Sequence, residues 1–223
     1  MTEFDERDLA VLREHGFVPV AGRVVYEARP PTPSARVEEI ARVCAAPLPE
    51  ELLALWATVG GGRLDYAVTV ELDGEPQPLS WAELFGDDEP SGLALDGWLD
   101  HEIDLATDGG RVPGVLLHAV PIGGFEYLER IYVRVGGERA GEVVVWMHGL
   151  PAWTGGPTSD ALATLAPDLA SAFALLHLPG DPLDDDARYG REFLAVVDEQ
   201  RAAGLPADLA DRLVAYYRRA FAG

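Results

Sequence analysis

Across residues 48–62 the apolar positions recur at three- and four-residue steps, which puts Leu48, Leu52, Leu55, Trp56 and Val59 on one face. That period predicts an amphipathic helix. Pro49 suits the first helical turn, where its missing N–H costs nothing, and Glu50 and Glu51 favour the positive end of the helix dipole. Gly60, Gly61 and Gly62 then supply the left-handed backbone that ends the helix.

The same reading extends along the chain. Residues 5–15 predict a short helix with Leu9 and Leu12 inward and Gly16 ending it, followed by an extended stretch at 23–27. Pro30, Pro31 and Pro33 make 29–33 a stiff linker, and Ser34 can cap a helix running to Cys44 with Val37, Ile40 and Ala41 on one face. Residues 64–72 are strand-like, Asp73-Gly74 is a turn signal, and 80–85 predict one helical turn or two. The sheet resumes at 115–120, and 127–135 with 142–148 form a hairpin joined across 136–141. Leu165, Leu169, Ala172, Phe173 and Leu176 predict a helix over 165–178 with Pro167 in its first turn. Two more helices are expected at 188–203 and 207–221, broken at Gly204-Leu205-Pro206.

Strands grouped between helices predict an α+β fold, a central mainly antiparallel sheet flanked by helices, with extra helices at both ends. The Pro-rich linker sets off a helix-and-strand appendage (1–31), and the loop after Leu178 sets off a C-terminal helical pair (179–223), expected to pack on the domain between them (32–178), whose extent is that of the family resemblance described next.

Three stretches in this order resemble the SUKH superfamily, the bacterial immunity proteins whose relatives include a fungal regulator of cell-wall synthesis of the Smi/Knr type. The first is Leu48-Pro49, the apolar helix with Trp56, and Gly61-Gly62, where Val59-Gly60 replaces the family's usual asparagine-glycine entry into the turn. The second is Pro121-Ile122-Gly123-Gly124-Phe125-Glu126-Tyr127-Leu128, a stretch with a glycine-containing turn, leading into two strands that end in Trp146-Met147-His148. The third is the closing helix with Phe173. The resemblance covers about 32–178. It implies a protein-binding domain that neutralises a toxin by occlusion, with no catalytic residue of its own.

Charge adds a direction to that expectation. The chain of 223 residues has 38 acidic and 17 basic residues, a net charge of −21, and every basic residue is an arginine. Direct nucleic-acid binding is disfavoured, because affinity for phosphate comes from cations. A phosphate-loop or Schiff-base lysine is excluded outright. A basic protein partner, a toxin such as a nuclease, matches the charge better, although acidity also serves solubility alone. No apolar run approaches the roughly 20 residues of a bilayer span, and the acidic start is the reverse of a secretory signal, so no membrane contact and a cytoplasmic location are expected.

The candidate partner-binding residues are acidic: the loop Asp87-Asp88-Glu89, the four-residue spacing Asp96, Asp100 and Asp104, and the loop Asp184-Asp185-Asp186. If 95–107 is helical, the second set forms one carboxylate stripe, open to reading as a recognition surface or as an ordinary solvated face. Neither metal nor cofactor is expected. The five histidines lack metal-site spacing, and a calcium loop starting at Asp184 puts Tyr189 where glycine is needed and Ala195 where glutamate is needed. Cys44, the single cysteine, reads as a buried thiol, and no G-x-S-x-G elbow occurs. Trp146 reads as core or as part of a binding rim, and His148 at the strand end is left open. A scaffold or peptide-binding regulator of the same fold is the alternative function, and a hydrolase with dispersed residues the third.

Overall fold

A computed structural model describes residues 3–87, 94–106, 116–125, 128–155, 157–184 and 187–221. The chain is α+β. Helix α1 (Glu6–Glu14) precedes a hairpin of β1 (Phe17–Val20) and β2 (Arg23–Tyr26), and helices α2 (Ser34–Arg42) and α3 (Glu50–Thr58) lead into β3 (Gly62–Leu72) and β4 (Glu75–Leu84). Helix α4 (Leu95–Ala106) separates these from β5 (Ala119–Phe125), β6 (Glu129–Arg134), β7 (Val143–Met147) and β8 (Ala161–Ala166). Helices α5 (Leu169–Leu175), α6 (Arg191–Ala202) and α7 (Ala207–Arg218) complete the order. The eight strands lie in chain order and every neighbouring pair is antiparallel. Beyond its ladder to β7, β8 also comes close to β3.

Tight turns set the two N-terminal hairpins. Ala21 and Gly22, and again Asp73 and Gly74, have positive φ at both central positions, the geometry that matches the twist of paired strands. The second turn makes β4 a full partner of β3, so 80–84 is strand and not the helical turn its residues predict. Leu79 and Trp81 alternate inward opposite Val68 and Tyr66, and this cross-strand burial overrides the local signal. Within 121–128, strand β5 runs on through Gly123 and Gly124 to Phe125, and the chain reverses after it, with Leu128 N donating to Phe125 O at 3.2 Å and Phe125 paired with Glu129. The helix expected from 165 begins only at Leu169. Leu162 and Thr164 alternate with buried Ala163 and Leu165 in β8, and Asp168 then caps α5 by accepting from Ser171 N at 2.6 Å.

Glycines 60–62 act differently from the expected helix stop. Val59 is extended and already ends α3. A Cβ on Gly60 would lie 2.2 Å from the Pro30 carbonyl, and one on Gly61 2.8 Å from Gly86 Cα, so backbone crossing at van der Waals contact is what requires glycine here. The Pro-rich segment is strapped to the same place, with Arg29 N donating to Gly61 O at 2.9 Å and Thr32 N to Trp56 O at 2.9 Å.

One hydrophobic cluster runs through residues of nearly every element. Phe193 of α6 packs on Phe17 and Tyr26, Tyr217 of α7 stacks on Phe193 at 3.9 Å and lies 5.0 Å from Tyr66, and Phe173 of α5 meets Trp81 at 5.3 Å. Tyr66 and Trp81 are cross-strand partners, so α5 and α7 cover the same sheet face. Ion pairs fasten the outer elements. Arg219 pairs with Glu3, and Arg212 donates to Asp8 Oδ2 at 2.7 Å and to the Glu3 carbonyl at 2.5 Å.

Trp56 is 3% exposed within this cluster. Trp56→Ala is expected to lower unfolding free energy by about 3–5 kcal/mol in a denaturant titration. Asp65 sits in the bulge between Arg63 and Tyr66 with φ 55°, and its Oδ2 accepts from Gly190 N at 2.8 Å. Burial pushes its carboxyl above the ordinary range. Between the unfolded value near 3.9 and the raised native one the folded state binds more protons, so this group makes stability fall as pH rises. Asp65→Asn keeps the acceptor and tolerates positive φ. It should flatten that part of the stability profile measured by thermal unfolding at stepped pH.

Candidate partner-binding surfaces

Strand β6 alternates between two environments. Ile131 and Val133 enter the main cluster, while Arg130 and Tyr132 point to the opposite face, beneath α4. Leu95, Trp98 and Leu99 are the buried side of that helix. Arg130 is only 4% exposed, with its guanidinium carbon 5.0 Å from the Trp98 ring and 4.3 Å from the Trp146 ring. Glu102 of α4 supplies the counter-charge, its Oε1 lying 3.6 Å from Arg130 Nη1 and accepting from the Tyr132 hydroxyl at 2.8 Å. Burial first, then the Glu102 charge, pushes the Tyr132 phenol far up, so it remains a proton donor. Arg130 Nε is buried without a hydrogen bond, and the aromatic faces on either side offset part of that cost.

Trp146 is therefore neither wholly core nor rim: it is half-buried, one ring face on Arg130. His148 follows it on the same side, its ring centre 5.6 Å away, and lies past the end of β7. His148 Nδ1 is 3.0 Å from Asp160 Oδ1, and Asp160 Oδ1 accepts from Gly149 N at 2.9 Å. An imidazole held by a carboxylate is half of a nucleophile-activating arrangement. No serine, threonine or cysteine side chain hydrogen-bonds to His148 among the described residues. The Cys44 thiol donates to Ile40 O at 3.2 Å and is pushed up to about 11 by burial, so it is a packing group.

Below His148 is a cavity of about 200 Å³, whose walls include Leu79, Leu128, Met147 and Leu150. Glu129 also lines it. Its Oε2 accepts from Ser80 N at 3.0 Å, and burial raises its pKa against the weaker pull of Arg188. Leu128 at the cavity is exposed, as are Leu162 of β8 and, at 86%, Trp153 in the β7–β8 connection.

The acidic residues divide. Asp87 and Asp96 meet at Arg36, whose Nε lies 2.9 Å from Asp87 Oδ1 and whose Nη2 pairs with Asp96. Asp87 ties α2 to the segment after β4 and Asp96 ties it to α4, so neither is a bare recognition edge. Asp100 and Asp104 are exposed on the outer side of α4, and Asp184 is exposed in the loop before α6. Asp88, Glu89, Asp185 and Asp186 lie outside the described residues. Many arginines are engaged internally: Arg63 with Glu27 and Glu192, Arg134 and Arg139 with Glu142, Arg201 with Asp211, and Arg218 with Asp181. Among the described residues no group of three or more His, Cys, Asp or Glu is placed to hold a metal, and no helix is long and apolar enough to cross a membrane.

The residues that carry the family resemblance do not converge on one site. Leu48, Trp56 and Phe173 are buried, and Pro49 caps α3. Gly61, Gly62 and Gly124 permit close backbone approach, and Trp146 and His148 lie near α4 and the small cavity. Arg36, Glu102, Glu129, Arg130 and Asp160 were not separable from other charged residues by sequence. For Arg130 alone a signal existed, an arginine two residues from Tyr132 between buried apolar positions of a period-two strand. Comparison with protein-family models, curated proteins and solved structures found no match.

Removing Arg130 leaves Glu102 in a largely buried position with only a phenol beside it. Arg130→Leu should therefore destabilise by about 3–5 kcal/mol, and Arg130→Leu combined with Glu102→Leu by less than the sum of the single changes. Urea unfolding of the four proteins of this cycle measures both.

Proposed function

We propose that the protein is a binding protein of the SUKH-like immunity type, which covers a basic surface of a toxin and neutralises it by occlusion. The observation that carries this reading is the disposition of charge. The carboxylates outnumber the arginines by 21, and the arginines of the described surface are largely turned onto carboxylates of the same molecule. Such a surface attracts cationic partners, accelerates their encounter and repels nucleic acid and other polyanions. The α+β architecture is compatible with the resemblance borne by the helix–glycine, strand-pair and closing-helix segments. A scaffold of the same fold would share the charge and lack the toxin.

Co-expression with the product of the neighbouring open reading frame, scored by survival and by pull-down, tests the immunity role. Rescue together with a stable complex is the expected result; a complex with no rescue favours the scaffold, and no complex removes this partner. In stopped-flow binding to that toxin, association should slow as salt rises, because exposed charges are screened over about 8–10 Å near physiological ionic strength. Reversing Asp100 and Asp104 to arginine should lower the association rate about tenfold at low salt and flatten its salt dependence. A wild-type rate independent of salt would show that the acidity serves solubility and not encounter.

A further inference from the structure

The cavity at the ends of β6 and β7 joins three properties that bear on what it can hold. It is small, about 200 Å³ against the roughly 300–1,000 Å³ of a cofactor or drug-like site, so it has room for one side chain and not for a nucleotide. Its walls are mostly aliphatic, from Leu79, Leu128, Met147 and Leu150. It also contains one carboxylate, Glu129, which has a backbone N–H on one oxygen and no ion pair among the described residues.

A pocket with mostly aliphatic walls and one carboxylate among its lining residues suits a ligand with an apolar stem and a cationic head. The long side chains of arginine and lysine have that form, burying methylenes while the head group meets an acceptor. We propose that this pocket is the receptor for a single arginine or lysine side chain of a basic protein partner, with Glu129 as its counter-ion. The proposal rests on the protein-binding reading above and assigns it a place.

The surroundings agree with a macromolecular source for that side chain. Asp160, paired to His148 beside the pocket, adds a second carboxylate. Trp153 lies in the same β7–β8 connection that contributes Leu150 and is 86% exposed, a large aromatic side chain of the kind that dominates protein interfaces. Burial keeps the pKa of Glu129 raised because Arg188 only partly compensates, so a cation entering the cavity supplies charge that the folded chain itself lacks there. The titratable and charged groups near Glu129 are therefore Arg188 from the segment before α6 and His148, which lines the same pocket and lies 3.0 Å from Asp160.

The test uses N-acetyl-arginine methylamide and N-acetyl-lysine methylamide as probes, with N-acetyl-norleucine methylamide as the uncharged control, in a heteronuclear NMR titration of the intact chain. Saturable shifts at the amides of Leu128, Glu129, Met147 and His148 are expected for the two cations. Binding should weaken at least tenfold for norleucine and at least tenfold in Glu129→Gln, which retains an acceptor for Ser80 N. Leu128→Lys, an exposed position at the pocket that can place its own ammonium there, should compete with the probes without disturbing the fold. Equal affinity for norleucine, an unchanged dissociation constant in Glu129→Gln, or shifts centred on the α4 aspartates would each overturn the proposal. A toxin bound equally well by wild type and Glu129→Gln would overturn the pocket and leave the protein-binding reading standing. Selective binding of the cationic probes without any toxin complex would do the reverse.

Discussion

Strand β7 buries Val143, Val144 and Val145 in succession, so at its centre the sheet has water on neither face. Successive side chains of a strand point in opposite directions, and two apolar covers are therefore required. The helices packed on Tyr66 and Trp81 supply one. Helix α4 contributes to the other, and this explains why the polar groups beneath it are so closely matched. Arg130 has aromatic rings on both sides and a carboxylate within reach, and Tyr132 gives its proton to that same carboxylate. A buried guanidinium without these partners would carry an uncompensated desolvation cost.

The fold class and several elements were legible because their periodicity and punctuation agree. The β6–β7 hairpin, α3 and the C-terminal helical pair all have a long enough apolar period and clear stops, and each appears within a few residues of its expected span. The failures share a cause. Residues 80–84 and the start of the helix expected from 165 were decided by pairing with β3 and β7, which a local reading does not see. Glycines 60–62 were read as the helix stop, whereas Val59 already ends α3 and the need for glycine lies in the distant segments at Pro30 and Gly86, which a local reading cannot supply.

Surface chemistry was less legible than the fold. The spacing of Asp96, Asp100 and Asp104 does place them on the outside of α4, yet Asp96 turns to Arg36, an arginine 60 residues away in sequence. In the same way Glu129 looks like any other carboxylate among 38 until the strand register encloses it beside Met147. Composition describes the average field of the molecule. Only tertiary placement distinguishes the carboxylate that is solvated, the one that holds two elements together and the one that lacks a counter-ion.

The contacts among Glu3, Asp8, Arg212 and Arg219 have a topological consequence. They hold residues 3 and 219 side by side, so the described backbone is nearly a closed ring, although its strands still follow one another in chain order. A short peptide joining these positions would span little distance, and new ends could be opened at the exposed Asp73–Gly74 turn with the sheet order intact. Such a rearranged chain would keep every strand neighbour while changing which hairpin leaves the ribosome first, a way to separate the order of synthesis from the architecture it produces.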